Sequence, residues 1–138
     1  MLQLLRGAGY RVTSERKAVL DAVLASCRPF SGGDVVAQVS RRDPSVGRAT
    51  VFRTLEVLVD LGVIGRVHQP GVGAAYVLCS QDHHHHAICS RCGLVVELPG
   101  CPLDSAAEKE ATAAGFRLES HRLEYYGVCG QCQAKGAS

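Results

Sequence analysis

The run Gly47-Arg-Ala-Thr-Val-Phe-Arg-Thr-Leu-Glu-Val-Leu-Val-Asp-Leu-Gly62, continued by Val63-Ile-Gly-Arg-Val-His68, Gln69-Pro-Gly-Val-Gly73 and Ala74-Ala-Tyr-Val-Leu-Cys79, decides the fold. Val51, Leu55 and Leu58 recur at i, i+4 and i+7 as one apolar helical stripe, and Arg48, Arg53, Glu56 and Asp60 lie off it. Gly62 stands where such a helix ends. The two β-rich runs that follow are separated by the turn signal Gln69–Gly73 and read as a hairpin.

Upstream, Ser14–Ser26 places Val19, Ala22 and Val23 at helical spacing, with Thr13 or Ser14 as cap and Pro29 as the stop. A shorter helix capped by Ser31 carries Val35, Val36 and Val39, and Asp43-Pro-Ser45 is a turn. Three helices and a hairpin predict a winged helix-turn-helix, whose last helix enters the major groove of DNA. Downstream, the expected order is strand (Ala87–Cys89), strand (Leu94–Leu98), helix (Leu103 to about Ala114) and strand (Phe116–Val128), ending in a frayed tail from Gln133. The fold class is therefore α+β, a winged helix followed by a small β-α-β unit.

The composition fits this plan. The chain has 138 residues, 46% hydrophobic and 20% charged, a globular balance without a run long enough to span a membrane. The N-terminus lacks a signal-peptide core, which predicts a cytoplasmic protein whose thiols stay reduced. The net charge of +2 is split: residues 1–70 carry ten Lys/Arg against six Asp/Glu, and the remainder five against seven. The basic half suits an anionic partner such as nucleic acid. With three Phe, four Tyr and no Trp, both cores are small. Seven cysteines in a cytosolic chain argue for metal rather than disulfides.

Cys89-Ser-Arg-Cys92 and Cys129-Gly-Gln-Cys132 are two C-x-x-C pairs, the donor set of a closed structural zinc site. His83-His-His-His86 is internal, unlike an expression tag. On an extended segment His83 and His85 share one side and His84 and His86 the other, so one run can serve two ions. Cys79 is the neighbouring thiolate for His84 and His86. His121, with Glu97 or Asp104, is the candidate partner for His83 and His85. Cys27 reads as a small buried apolar residue and Cys101 as a loop thiol outside the metal chemistry. A zinc enzyme or a metal-storage protein would use similar donors, yet no HExxH, nucleophile elbow or Gly-rich phosphate loop is present.

Arg11-x-Thr-x-x-Arg16-x-Ala-Val-Leu, Arg48-Ala-Thr-Val-Phe-Arg-Thr-Leu55, His83-His-His-His-x-x-Cys-x-x-Cys-Gly93, His121 and Cys129-x-x-Cys132 together resemble the ferric uptake regulator (Fur) family, most nearly its zinc uptake regulator branch. The resemblance implies a homodimeric, metal-sensing repressor of metal-uptake genes that binds double-stranded operator DNA, with no membrane or small-molecule substrate. It implies a winged-helix DNA-binding domain over 1–80, a hinge at about 79–83, and a metal-binding dimerisation domain over 83–138. Roughly two to three zinc ions per subunit would be held. These are a structural ion at Cys89, Cys92, Cys129 and Cys132, a regulatory ion at Cys79, His84 and His86, and an additional ion at His83, His85, Asp104 and His121.

The resemblance assigns DNA contacts to Arg11, Arg48, Thr50, Phe52 and Arg53, with Phe52 standing where relatives have Tyr. Gly65 occupies the place of a common Asp ligand in zinc-sensing relatives, so His68 or water is left as the fourth hinge ligand. Iron, nickel and peroxide sensors of the same family are the competing readings. The iron and peroxide sensors usually carry a carboxylate where Cys79 stands.

Overall fold

The computed structural model describes residues 1–26, 29–69, 71, 73–80, 83–101 and 104–136. Helix α1 (Leu2–Gly7) opens the chain and was not expected; six residues with a single wholly buried side chain, Leu5, leave no periodic signal. Helix α2 (Ser14–Leu24) starts at Thr13, whose side chain accepts from the Arg16 amide at 3.3 Å, and buries Val19, Leu20, Ala22 and Val23. Helix α3 (Gly32–Arg42) opens with a reciprocal capping box between Ser31 and Asp34 and buries Val35 and Val39.

Helix α4 (Arg48–Asp60) carries the expected stripe: Val51, Leu55 and Leu58 are buried. Thr54 is buried among them because its hydroxyl donates to the Thr50 carbonyl at 2.8 Å. Gly62, at φ 66°, takes the left-handed conformation that turns the chain out of α4.

Strands β1 (Ile64–Gln69) and β2 (Gly73–Leu78) form the antiparallel hairpin, with Gly65 opposite Val77 and His68 opposite Ala74. Phe30 adds a one-residue bridge to β2 through Tyr76, with mutual backbone hydrogen bonds and stacked rings 5.9 Å apart. The hairpin is buried on both faces. Ile64 and Tyr76 join the helical core, whereas Val67, Ala75 and Val77 pack with Ile88 of the next sheet.

That sheet has the order β4-β3-β5, from β3 (His84–Cys89), β4 (Val95–Pro99) and β5 (Glu124–Gly127). β4 runs antiparallel to β3 and β5 parallel to it. Helix α5 (Asp104–Ala113) makes the crossover. Two expectations need correction. The strand expected over 116–128 shrinks to Glu124–Gly127: β5 pairs with His86–Cys89, and among the described residues no strand pairing extends to 116–123. Of the tail expected to fray, residues 133–136 instead belong to helix α6 (Gly130–Gly136), whose start is set by Cys132 and Gln133 amides donating to the Cys129 carbonyl.

Candidate metal centres

Among the described residues, three groups of donors converge in the C-terminal half, each with its ligand atoms within 4.8 Å of one another. The first is Cys89, Cys92, Cys129 and Cys132. Parallel pairing sets Cys89 opposite Gly127 and so brings the end of β3 to the start of α6. The Cys92 and Cys129 sulfurs lie 3.7 Å apart. A tetrahedron with metal–sulfur bonds of about 2.3 Å has edges of about 3.8 Å, so the spacing fits a four-thiolate ion. The Cys129 amide donates to the Cys89 sulfur at 3.3 Å, and this amide with that of Cys92 pulls the Cys89 thiol down to about 6. A thiolate is thus favoured before any ion binds.

The second group is Cys79, His84 and His86. Cys79 follows β2 and is tied to the start of the hairpin by its amide, which donates to the Val63 carbonyl at 3.0 Å. His86 is buried, and its Nε2 has no hydrogen-bond partner among the described residues, an orphaned polar atom that a metal ion would satisfy. Burial, then His84, holds His86 below the usual imidazole range, in the neutral form that ligates. Burial, then Glu97, pushes the Cys79 thiol up to about 11.

Glu97 Oε1 lies 3.3 Å from His84 Nδ1 and also accepts from the Ser80 hydroxyl. A carboxylate on one ring nitrogen turns the other toward an ion. Gly65 closes the picture: a Cβ there would stand 2.9 Å from the Cys79 sulfur and 3.4 Å from His86 Cε1. The glycine leaves open a cavity of about 430 Å³ against these donors.

The third group is His83, His85, Cys101 and His121. His121 Nε2 is 3.2 Å from His83 Nε2 and 3.1 Å from the Cys101 sulfur, and His85 is buried. The alternation read from the histidine run holds: odd and even members fall into different groups.

Five expectations are corrected or left aside. Cys101 is no isolated loop thiol; Pro99 pairs with His84, so the chain leaving β4 emerges beside the start of β3. Glu97 lies opposite His86 and therefore on the other face from His83 and His85. His68 is exposed opposite Ala74 and does not join Cys79. Asp104 begins α5, but its side chain, like Cys27, lies outside the described residues. Strand register, rather than composition, was the signal for both Cys101 and Glu97.

On the helical unit, Arg11, Arg48 and Arg53 are exposed and Thr50 is half-buried. Phe52 lies so close to α3 that a Cβ on Gly32 would stand 2.5 Å from its Cε1, and the Arg48 guanidinium sits 5.2 Å from the Phe52 ring centre.

The family model "Ferric uptake regulator family" matches residues 7–126. The chain belongs to this family. The ferric uptake regulation protein of Neisseria meningitidis is 34% identical over 133 residues, covering 96% of this chain and 92% of that protein. The peroxide operon regulator of Bacillus subtilis is 31% identical, covering 97% and 92%. Among solved structures, a zinc uptake regulator complexed with zinc and DNA superposes with a TM-score of 0.82 at 25% identity, covering 99% of this chain and 92% of that one. The chain is accordingly a transcriptional regulator of the metal-uptake class, not an enzyme, with a winged helix and a zinc-regulator-like fold. No helix among the described residues is long and apolar enough to cross a membrane.

Proposed function

We propose that this regulator is a zinc-responsive repressor. The observation that carries the reading is the Cys79/His84/His86 group, one sulfur and two nitrogens joining the end of the wing to the start of β3. Mixed thiolate and imidazole donors suit zinc better than the harder ions of the iron and manganese sensors. Residues 1–80 act as the DNA-binding domain and 83–138 as the metal-binding dimerisation domain, and the protein works in the cytoplasm. The second and third groups provide the regulatory and additional ions, and the four cysteines a structural zinc.

Dimerisation is supported by the outer sheet face, where Val96 and Tyr125 flank Ala87 and remain exposed with Leu98. With Cys79, His84 and His86 gathered on one ion, the angle between each winged helix and the dimer axis is fixed. Two α4 helices then stand about 34 Å apart, one turn of palindromic DNA. Without that tie only a fraction of dimers has the competent angle, and apparent DNA affinity falls by that fraction. Exposed Arg11, Arg48 and Arg53 supply phosphate and base contacts, with Thr50 and Phe52 beside them.

The test is a mobility-shift titration of chelator-treated protein on a duplex selected from random sequences by the zinc-loaded form. Zinc should restore binding at a lower free concentration than Fe(II), Mn(II), Ni(II) or Co(II), and Cys79→Ser should abolish the response. Equal DNA affinity of the treated and loaded dimers would sink the reading; better restoration by iron or nickel would reassign the ion.

A further inference from the structure

We propose that the fourth donor of the His83/His85/His121 site is the Cys101 thiolate, so that the additional ion is held by three imidazoles and one sulfur. The inference deepens the metal-sensing reading and rests on its claim that these histidines hold an ion. Three observations carry it. The Cys101 sulfur lies 3.1 Å from His121 Nε2, the same nitrogen that meets His83 Nε2 at 3.2 Å, so sulfur and nitrogens face a common point. All four ligand atoms fall within 4.8 Å of one another, the size of one coordination sphere. Cys101 is also half-buried, within the same group as the wholly buried His85.

The donor type changes what the site does. An oxygen in the fourth place would leave it open to manganese and iron, whereas a thiolate favours zinc and cobalt. The placement gives the ion a mechanical role as well. Cys101 precedes α5 and His121 precedes β5, so one ion ties both ends of the α5 crossover to β3. Closing that 20-residue span restrains the crossover and the segment 116–123 that leads into β5.

Cobalt(II) reads the donor directly, because a bound thiolate adds a sulfur-to-cobalt charge-transfer band in the near ultraviolet. The experiment uses the full-length dimer carrying Cys79→Ser, which removes the other regulatory sulfur, with the structural zinc retained and checked by metal analysis. One equivalent of Co(II) should give the band together with tetrahedral visible absorption. Adding Cys101→Ser should remove the band and weaken binding by roughly tenfold or more, while adding Asp104→Ala leaves both in place.

Cobalt bound without the band, or a band that survives Cys101→Ser with the structural zinc intact, overturns the thiolate assignment and leaves the histidine site standing. No cobalt bound to the Cys79→Ser protein overturns the histidine site itself. Circular dichroism of each variant checks that the fold is kept. As an independent readout, zinc should slow amide hydrogen exchange across 114–123 in Cys79→Ser and fail to do so once Cys101 is also replaced.

Discussion

Gly65 lies directly against Cys79: a methyl group at position 65 would stand 2.9 Å from the cysteine sulfur. The backbone of β1 therefore forms one wall of the hinge centre, and Gly65→Ala has to displace either the thiol or the strand. We expect hinge-site zinc affinity to fall roughly 10- to 100-fold, as for other changes that disturb ligand placement, with the structural zinc retained. Competition against a chromogenic chelator measures this. Unchanged affinity in a normally folded variant would show that Gly65 is not part of the wall.

Zinc binding at the hinge should be strongly pH-dependent. The Cys79 thiol is pushed up to about 11 by burial and by Glu97, so it is protonated at neutral pH and must release a proton when it ligates. His86, held low by burial and His84, is already neutral and releases none. Affinity should thus rise about tenfold per pH unit between about pH 7 and 9 and fall correspondingly as acid is added. Calorimetry in buffers of different ionisation enthalpy should count one proton released from Cys79, and Cys79→Ser should flatten the slope. A wild-type slope near zero contradicts the buried thiol.

Gly32→Ala sets two principles against each other. Alanine is the better helix former by about 1 kcal/mol, yet its Cβ would fall 2.5 Å from the Phe52 ring. Overpacking of this kind costs about 1–3 kcal/mol, so the clash outweighs the gain or cancels it. We expect a lower midpoint in denaturant, together with weaker DNA binding because Arg48 rests on the displaced ring. A variant more stable than wild type would show that the ring simply moves aside.

The start of α3 supplies an acid-sensitive contribution to stability. Backbone and side-chain hydrogen bonds from Ser31 hold the Asp34 carboxyl below its ordinary value. Its stabilisation is fully present above the unfolded value of about 3.9 and is lost as pH falls through the lower folded value. At neutral pH, Ser31→Ala should cost about 1 kcal/mol, read by urea unfolding. The cost should shrink once Asp34 is protonated, and an equal cost at both extremes would refute the linkage.

Much of this was legible in the chain because it depends on local periodicity. Val51, Leu55 and Leu58 announced α4; the two C-x-x-C pairs announced the four-sulfur group; alternation along an extended segment separated His83 and His85 from His84 and His86. What escaped depends on contacts between distant segments. Leu5 is buried by elements that follow it, so a six-residue helix carried no signal of its own. Cys101 and Glu97 took their places from the β3–β4 register, which composition does not specify. The segment before Glu124 has strand-like composition but no strand pairing among the described residues, so its propensity went unused.

Four adjacent histidines cannot define their own alignment, since sliding β3 by one residue would swap odd for even and still present imidazoles on both sides. Ile88 prevents the swap. It lies on the same face as His84 and His86 and is only 1% exposed, wedged with Val67, Ala75 and Val77. An oily residue that binds nothing therefore sets which pair of rings meets the wing, and the sorting of four identical side chains into two donor groups is anchored by a side chain with no affinity for metal.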